Sequence, residues 1–342
     1  MIENKFSIII PAYNASKTIQ KCLDRLVNQQ YINFEIIIVD DGSTDDTLSI
    51  CVEYSRNNNI KVIHQSNKGP GSARFNAFQY ITGDYVLFCD ADDYFENNTL
   101  ILLNQLIEKN DRPDIIEFGY KMCDETGTIT YNEFSRENNK QEKEQFLNEL
   151  IIEKRCSCML VTHTFNVRLF SNIIETPWYH REDGALALQL YFNANSKLIV
   201  SNLFYSYIMT KKSLCRNSYS IKDNDSVHAY EFMYHYVKEK NNNRYCDFIS
   251  YSICSAAALN YISLKNSKIK NANILCEDML GTFKMYYKKI ESIRNVKKQS
   301  SKNRNILITI FSISPFIARF TYKIFCKESI KNNQVITILS KK

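Results

Sequence analysis

The sequence predicts an α/β protein, with an open mixed sheet, flanking helices and a C-terminal helical region. Two observations predict this fold. Short apolar runs alternate with segments of helical periodicity over the first third of the chain, and the segments beyond residue 213 have helical periodicity alone. Such alternation implies strands joined by right-handed helical crossovers. We therefore expect a sheet domain at residues 1–215 and a mainly helical region at residues 216–342.

Two continuous apolar runs, residues 6–11 and 34–40, predict strands buried on both faces. Two further strands are predicted at residues 60–64 and 85–89. Helices are expected between and after them. The clearest extends from Ile19 to Val27, where apolar residues recur on one helical face. A later helix is predicted at residues 183–192, with Asp183 near its N-terminus.

Polar clusters follow each of these strands. They lie at residues 11–14, 40–43, 64–71 and 90–93. Ligands in open α/β sheets bind beyond the carboxyl ends of the strands. The clusters therefore predict one ligand site at a single edge of the sheet.

The cluster after the fourth strand contains three acids, Asp90, Asp92 and Asp93. Ionised carboxylates this close together repel one another, so a positive partner is expected. Carboxylate oxygens suit Mg²⁺ or Mn²⁺, which also bind substrate phosphates. An isolated pattern of this kind is typical of an acidic turn or helix cap. Its position directly after a buried strand favours the cation.

Two other strand ends offer groups for a nucleotide. Asp40 and Asp41 leave two roles open, a cap for the following helix and an acceptor for a nucleobase N–H. The loop KGPGSAR presents backbone amides and a helix N-terminus to an anion, with positive charge from Lys68 and Arg74. Gly-Pro-Gly alone is ordinary turn chemistry, so the loop by itself is weak evidence for phosphate binding.

Residues 178–183, WYHRED, gather an aromatic side chain, two bases and two acids before the later helix. Glu182 or Asp183 is either a helix cap or a general base. His163 is interpreted as a packed or surface histidine rather than a ligand.

Five segments together resemble the family 2 glycosyltransferases, which have the GT-A fold. The segments are IIIPAYN (8–14), IIIVDDGSTDDT (36–47), NKGPGSARFNA (67–77), TGDYVLFCDADDYF (82–95) and RED (181–183). They follow the family's order across residues 5–215. Residues 199–218 are similar to the segment that closes the catalytic domain in bacterial polysaccharide-assembly members.

The resemblance implies roles on the donor side of the site. Pro11, Ala12 and Tyr13 would line the nucleoside pocket, and Asp41 would recognise uracil. Arg74 would hold the donor phosphate or shape its loop.

The resemblance also implies roles at the reacting end. Asp90 and Asp92 would touch the ribose and a metal ion, Mn²⁺ or Mg²⁺, and Asp93 would also reach the metal. Asp183 would be the catalytic base. Because a helix N-terminus lowers the pKa of such a base, burial or the neighbouring Glu182 would have to offset that effect.

The implied activity is the inverting transfer of a hexose or N-acetylhexosamine from a nucleotide-diphosphate donor, a UDP-sugar. The acceptor would be a hydroxyl group of a glycan or lipid-linked saccharide in bacterial surface polysaccharide or capsule synthesis. Two alternatives stay open. A metal-dependent nucleotidyltransferase would release pyrophosphate, and a nucleotide-sugar-binding module without turnover would need no base at Asp183.

The net charge of +6 is concentrated at the C-terminus, where residues 284–342 contain 14 Lys or Arg and two acids. Apolar residues recur there at helical spacing, and Pro315 predicts a division between two helices. This tail is either a helical pair packed on the catalytic domain or a helix in peripheral contact with an anionic membrane. No base-reading motif accompanies the charge, so no nucleic-acid partner is expected.

The N-terminus lacks a basic segment followed by a long apolar run, so no secretory signal is expected. The 11 cysteines show no zinc-site spacing. These features predict a cytoplasmic protein with free thiols, or one held at the inner face of the cell membrane.

Overall fold

The computed structural model describes residues 3–124, 126, 128–134, 136–154, 158–209 and 220–322. The chain divides into two compact units. The first lies within Met1–Phe146 and Ser157–Asn217, and the second within Leu147–Cys156 and Ser218–Lys342. The domain boundary predicted at residue 215 falls outside the described residues and stays a prediction.

One mixed sheet forms the framework of the first unit. Its strands are β1 (Phe6–Ala12), β2 (Phe34–Asp41), β3 (Ile60–Gln65), β4 (Tyr85–Phe88), β5 (Tyr94–Phe95), β6 (Ile115–Cys123), β7 (Ile129–Phe134), β8 (Asn139–Glu142), β9 (His163–Asn166) and β10 (Ser196–Ile208). The hydrogen-bonded order is β3-β2-β1-β4-β9-β6-β10-β5, with β7 on β6 and β8 on β10. β1 is parallel to β2 and β4, whereas β9 is antiparallel to β4 and β6. The predicted mixed sheet is confirmed.

Helices connect these strands and cover them. They are α1 (Ile19–Val27), α2 (Thr47–Tyr54), α3 (Pro70–Ala77), α4 (Thr99–Lys109), α5 (Lys143–Asn148) and α6 (Glu182–Asn193). In β1, Ile8, Ile9 and Ile10 are all fully buried, as expected of a strand whose two faces are both covered. The four strands and the two helices predicted in this part of the chain are confirmed.

The second unit is helical. Its helices are α7 (Asp225–Glu239), α8 (Cys246–Asn266), α9 (Ala272–Lys288), α10 (Ile293–Gln299) and α11 (Lys302–Ile313). α8 is buried along most of its length and packs against the other four. A further helical segment begins at Pro315 and continues to residue 322. Both the helical region and the division at Pro315 are therefore confirmed. Among the described helices, none combines the length and the apolar character needed to cross a bilayer.

Candidate active site

The carboxyl ends of the parallel strands are joined to one another by side chains. Asn14, after β1, donates its backbone N–H to Ser43 Oγ at 3.0 Å and accepts from the backbone N–H of Thr44 at 2.8 Å. Between β2 and β3, His64 Nδ1 lies 2.7 Å from Asp40 Oδ2. The polar clusters therefore meet at one edge of the sheet, as the sequence predicted.

Asp41, at the end of β2, fixes the loop that follows β3. Its Oδ1 accepts hydrogen bonds from the backbone N–H of Lys68 and from Gln65 Nε2, both at 2.8 Å. Its Oδ2 accepts from the backbone N–H of Gly69, also at 2.8 Å. The backbone N–H groups of Lys68 and Gly69, which the sequence predicted as phosphate donors, therefore donate hydrogen bonds to the Asp41 carboxylate. The uracil role of Asp41 and the donor role of Lys68, whose side chain is exposed, stay predictions.

Arg74 connects the acids after β4 with the acids at the start of α6. Its Nη1 donates to Glu182 Oε1 at 2.8 Å, and its Nη2 donates to Asp90 Oδ1 at 3.1 Å. Arg74 and Glu182 are both buried, whereas about a third of the Asp90 side chain is exposed. The guanidinium group therefore holds two motifs together across the edge of the sheet.

Asp93 is held by the protein on both carboxylate oxygens. Its Oδ2 accepts from Tyr205 Oη at 2.8 Å, and its Oδ1 accepts from the backbone N–H of Ile208 at 2.7 Å. The same Tyr205 hydroxyl accepts the backbone N–H of Asp90 at 3.1 Å. Burial, and then the charges of Asp90 and Asp92, raise the pKa of Asp93 well above its ordinary value. The metal role of Asp93 stays a prediction.

The remaining acids fit a divalent cation that is bound together with a substrate phosphate. Within the residues that the structure describes, no group of three or more His, Cys, Asp or Glu side chains is arranged to hold a metal ion alone. Mg²⁺ in nucleotide sites needs only one or two carboxylates, because phosphates and waters complete its coordination. Asp90 and Asp92 would provide two such carboxylates. Burial, and then the charge of Asp90, raise the pKa of Asp92 to about 6.

Asp183 lies in the first turn of α6 and is half-buried. Its Oδ1 accepts the backbone N–H of Gly184 at 2.7 Å. Burial raises its pKa, although the charge of Arg74 acts in the opposite direction. Burial likewise raises the pKa of Glu182 to about 7 against the pull of Arg74. The net shift of the Asp183 pKa is upward, so burial outweighs the charge of Arg74.

The predicted nucleoside pocket begins where β1 ends. Ala12 is buried, Pro11 is partly exposed, and the ring of Tyr13 is exposed at the edge. Their contacts with a nucleoside stay predictions. His163 is a packed residue, as interpreted from the sequence, because it is buried and its Nε2 lies 2.9 Å from Tyr191 Oη.

Two tyrosines that sequence reasoning did not select belong to this region. Tyr205 supports the acidic cluster from β10, and nothing in its local sequence indicates that role. Tyr179, within WYHRED, donates a hydrogen bond to Asn67 Oδ1 at 2.7 Å. Its ring would lie 3.3 Å from a Cβ atom at Gly69, where φ is 93°. The segment before α6 therefore covers the loop held by Asp41.

Comparison with known proteins identifies the class of enzyme to which this fold and this candidate site correspond. Residues 7–167 match the family model described as Glycosyl transferase family 2. The chain therefore carries a family 2 glycosyltransferase domain at residues 7–167, as its motifs indicated, and it is an enzyme of the glycosyltransferase class.

Two curated relatives match over part of their length. Glycosyltransferase GlyA from Streptococcus pneumoniae serotype 4 is 29% identical over 224 residues, which are 63% of this chain and 32% of GlyA. Poly(ribitol-phosphate) beta-N-acetylglucosaminyltransferase TarS from Staphylococcus aureus is 42% identical over 100 residues, which are 28% of this chain and 18% of TarS. The chain thus spans a third or less of the length of these relatives.

One solved structure matches over nearly the whole chain. The crystal structure of residues 1–349 of S. aureus TarS, in complex with UDP-GlcNAc, superposes with a TM-score of 0.66 at 26% identity. The match covers 97% of this chain and 93% of that one. It confirms the predicted fold class, a GT-A-type mixed sheet followed by a C-terminal helical region.

Proposed function

We propose that this enzyme transfers a sugar from a UDP-sugar, with inversion, to a hydroxyl group of a glycan or lipid-linked acceptor in bacterial surface polysaccharide synthesis. One observation carries the proposal. Arg74 holds the acids after β4 and the acid pair of α6 against one edge of the sheet. These contacts support a donor site and a base that act on one substrate. The likeness to a TarS fragment bound to UDP-GlcNAc supports uridine and makes N-acetylhexosamine donors the first to test.

On the donor side, Pro11, Ala12 and Tyr13 line the nucleoside pocket. Asp41 accepts a hydrogen bond from uracil. It uses carboxylate lone pairs that are not occupied by its contacts with the loop. Lys68 lies exposed on the loop that Asp41 holds, where its charge can meet the donor diphosphate.

Asp90 and Asp92 would bind the ribose and a Mn²⁺ or Mg²⁺ ion, and Asp93 would also reach that ion. When bound, this ion stabilises the negative charge that develops on the departing diphosphate. Arg74 fixes the position of Asp90 through Nη2.

Asp183 is the general base. Its carboxylate takes the proton of the acceptor hydroxyl while that oxygen bonds to the anomeric carbon on the face opposite the diphosphate. The bond between the anomeric carbon and the phosphate oxygen breaks, and UDP leaves with the bonding electron pair. One displacement inverts the configuration and needs no covalent enzyme intermediate.

Calorimetric titration of UDP, with and without Mn²⁺, tests the donor assignment. We expect Mn²⁺-dependent binding that Asp92→Asn weakens and that Asp111→Asn, at an exposed carboxylate elsewhere in the same unit, leaves unchanged. Absence of UDP binding in both conditions would overturn the uridine assignment, and GDP and dTDP would be titrated next.

A panel of UDP-sugars incubated with glycan acceptors then tests transfer. Release of UDP together with a glycosylated product is the expected result. Release of pyrophosphate from UTP would instead support the nucleotidyltransferase. Binding without any product from the panel would support the binding module.

A further inference from the structure

The last described helical segment exposes an apolar face. In residues 315–322, Phe316 is 73% exposed, Ile317 50% and Phe320 64%, and Ile313 at the end of α11 is 77% exposed. Single exposed apolar residues are common on protein surfaces, but large ones this close together mark a binding surface. We name Ile313, Phe316, Ile317 and Phe320 the apolar face.

The segment that carries this face is fixed to the helical unit on its other side. Ala318 is buried. Arg319 donates from Nε to Asn266 Oδ1 at 2.9 Å and from Nη2 to the backbone carbonyl of Lys265 at 2.7 Å. The apolar face is therefore the outer side of an anchored helix.

The surroundings of the apolar face are basic. Arg319 brings the helix to the end of α8, where Lys265 is followed by the exposed Lys268 and Lys270. Residues 284–322 contain nine Lys or Arg residues and one acid, Glu291. A second copy of this chain is a poor partner, because a symmetric contact would bring two basic surroundings together. An anionic bilayer offers apolar chains to the aromatic residues and negative headgroups to the lysines.

We propose that the apolar face inserts into the surface of an anionic phospholipid bilayer, with Lys268 and Lys270 against the headgroups. The contact is peripheral, since the described helices include none able to span a bilayer. It positions the enzyme beside lipid-linked acceptors but does not depend on which sugar is transferred.

Vesicle co-sedimentation of the full chain tests the proposal without any sugar donor, so its outcome is independent of the donor assignment. We expect pelleting with phosphatidylcholine vesicles that contain phosphatidylglycerol and little pelleting with phosphatidylcholine alone. The double variant Phe316→Ser/Phe320→Ser should bind at least about tenfold more weakly, because it loses two inserted aromatic side chains. Lys268→Gln/Lys270→Gln should bind about 25-fold more weakly, at about fivefold for each lysine.

Matched controls are Ile32→Ser, at an isoleucine that is 88% exposed in the first unit, and Lys109→Gln on α4. Both should pellet like the unmodified chain, and thermal melting should show that all variants remain folded. Equal pelleting of all variants, or equal pelleting with neutral and anionic vesicles, would overturn the proposal. It would also be overturned if the chain ignored vesicles and light scattering found a dimer that Phe316→Ser/Phe320→Ser dissociates.

Discussion

Arg74 Nη1 lies 2.8 Å from Glu182 Oε1, and this contact joins residues 108 positions apart in the sequence. Both side chains are buried, and the same guanidinium group also donates to Asp90. A planar guanidinium can donate to two carboxylates in different directions at once, which an ammonium on a flexible stem does poorly. One side chain therefore sets the relative position of the acids after β4 and the acids of α6.

Arg74→Lys should leave the protein folded but lower the transfer rate about tenfold or more, because the ammonium group cannot reproduce both contacts. Arg74→Met should also lower the free energy of unfolding by about 3 kcal/mol, since it leaves two acids without their shared cation. Initial rates and urea denaturation measure the two effects. Arg112→Lys, at an exposed pair with Glu108, is the control and should change neither. A wild-type rate for Arg74→Lys would contradict this account of the site.

Asp183→Asn should lower the transfer rate by about 10²-fold to 10⁴-fold, the usual contribution of a general base. UDP affinity should stay nearly unchanged, because the proposed role of Asp183 is on the acceptor side. Rates and calorimetric titrations on the same preparation separate the two quantities. Full turnover by Asp183→Asn would move the base to another residue.

The transfer rate should also depend on pH through Asp183. The base acts only when ionised, and burial raises its pKa above the ordinary value of 3.8. The rate should therefore fall on acidification at a higher pH than an exposed aspartate would give. The pH profile of kcat/KM measures this decrease in rate at acidic pH. UDP titrations at each pH show whether donor binding has changed instead. A rate that is constant down to pH 3.8 would contradict the prediction.

Tyr205→Phe should weaken Mn²⁺-dependent UDP binding about tenfold without unfolding the protein. The hydroxyl group bonds both to the backbone of Asp90 and to the side chain of Asp93, and these bonds are lost. The ring would remain packed against Phe95, at 5.2 Å between centroids. Loss of a buried hydroxyl bridge should cost about 1–2 kcal/mol of unfolding free energy. Tyr80→Phe, at a partly exposed tyrosine of the same unit, is the control for loss of a hydroxyl group.

Glu117 should make the free energy of unfolding of the first unit depend on pH in the acidic range. Burial alone raises its pKa, but the interaction with His163, whose Nε2 lies 3.8 Å from Glu117 Oε2, and the charge of the fully buried Lys197 outweigh burial and hold the pKa below its ordinary value of 4.5. Because the folded-state pKa is lower than the unfolded one, the stabilisation is complete above 4.5 and is lost as the pH falls below it.

Glu117→Gln should lower the free energy of unfolding at neutral pH by about 3 kcal/mol, because it leaves Lys197 buried without its carboxylate. The variant should also lack the additional loss of stability below pH 4.5. Urea denaturation at a series of pH values measures both effects. Glu108→Gln, at the exposed pair with Arg112, should follow the unmodified chain. Parallel pH curves for Glu117→Gln and the unmodified chain would contradict the proposed pairing.

The strands, the helices around them and the edge that carries the site were predictable from the sequence. Continuous apolar runs such as residues 6–11 specify buried strands locally, and the polar residues that end them specify turns. Because parallel strands align their carboxyl ends, placing the elements also places Asp90 and Asp92 at the ligand edge. The position of Asp183 at the start of a helix was also predictable from the sequence, and its role as a base was suggested by the family motif.

The partners of these side chains were decided by tertiary structure alone. Arg74, predicted to hold the donor phosphate or shape its loop, pairs with acids 16 and 108 positions away. Asp41, predicted to recognise uracil, also accepts hydrogen bonds from Gln65, Lys68 and Gly69. Tyr205 reaches Asp93 from β10, 112 positions away. Periodicity and local residue preference specify elements, whereas such contacts depend on how distant elements pack, which no short stretch of sequence encodes.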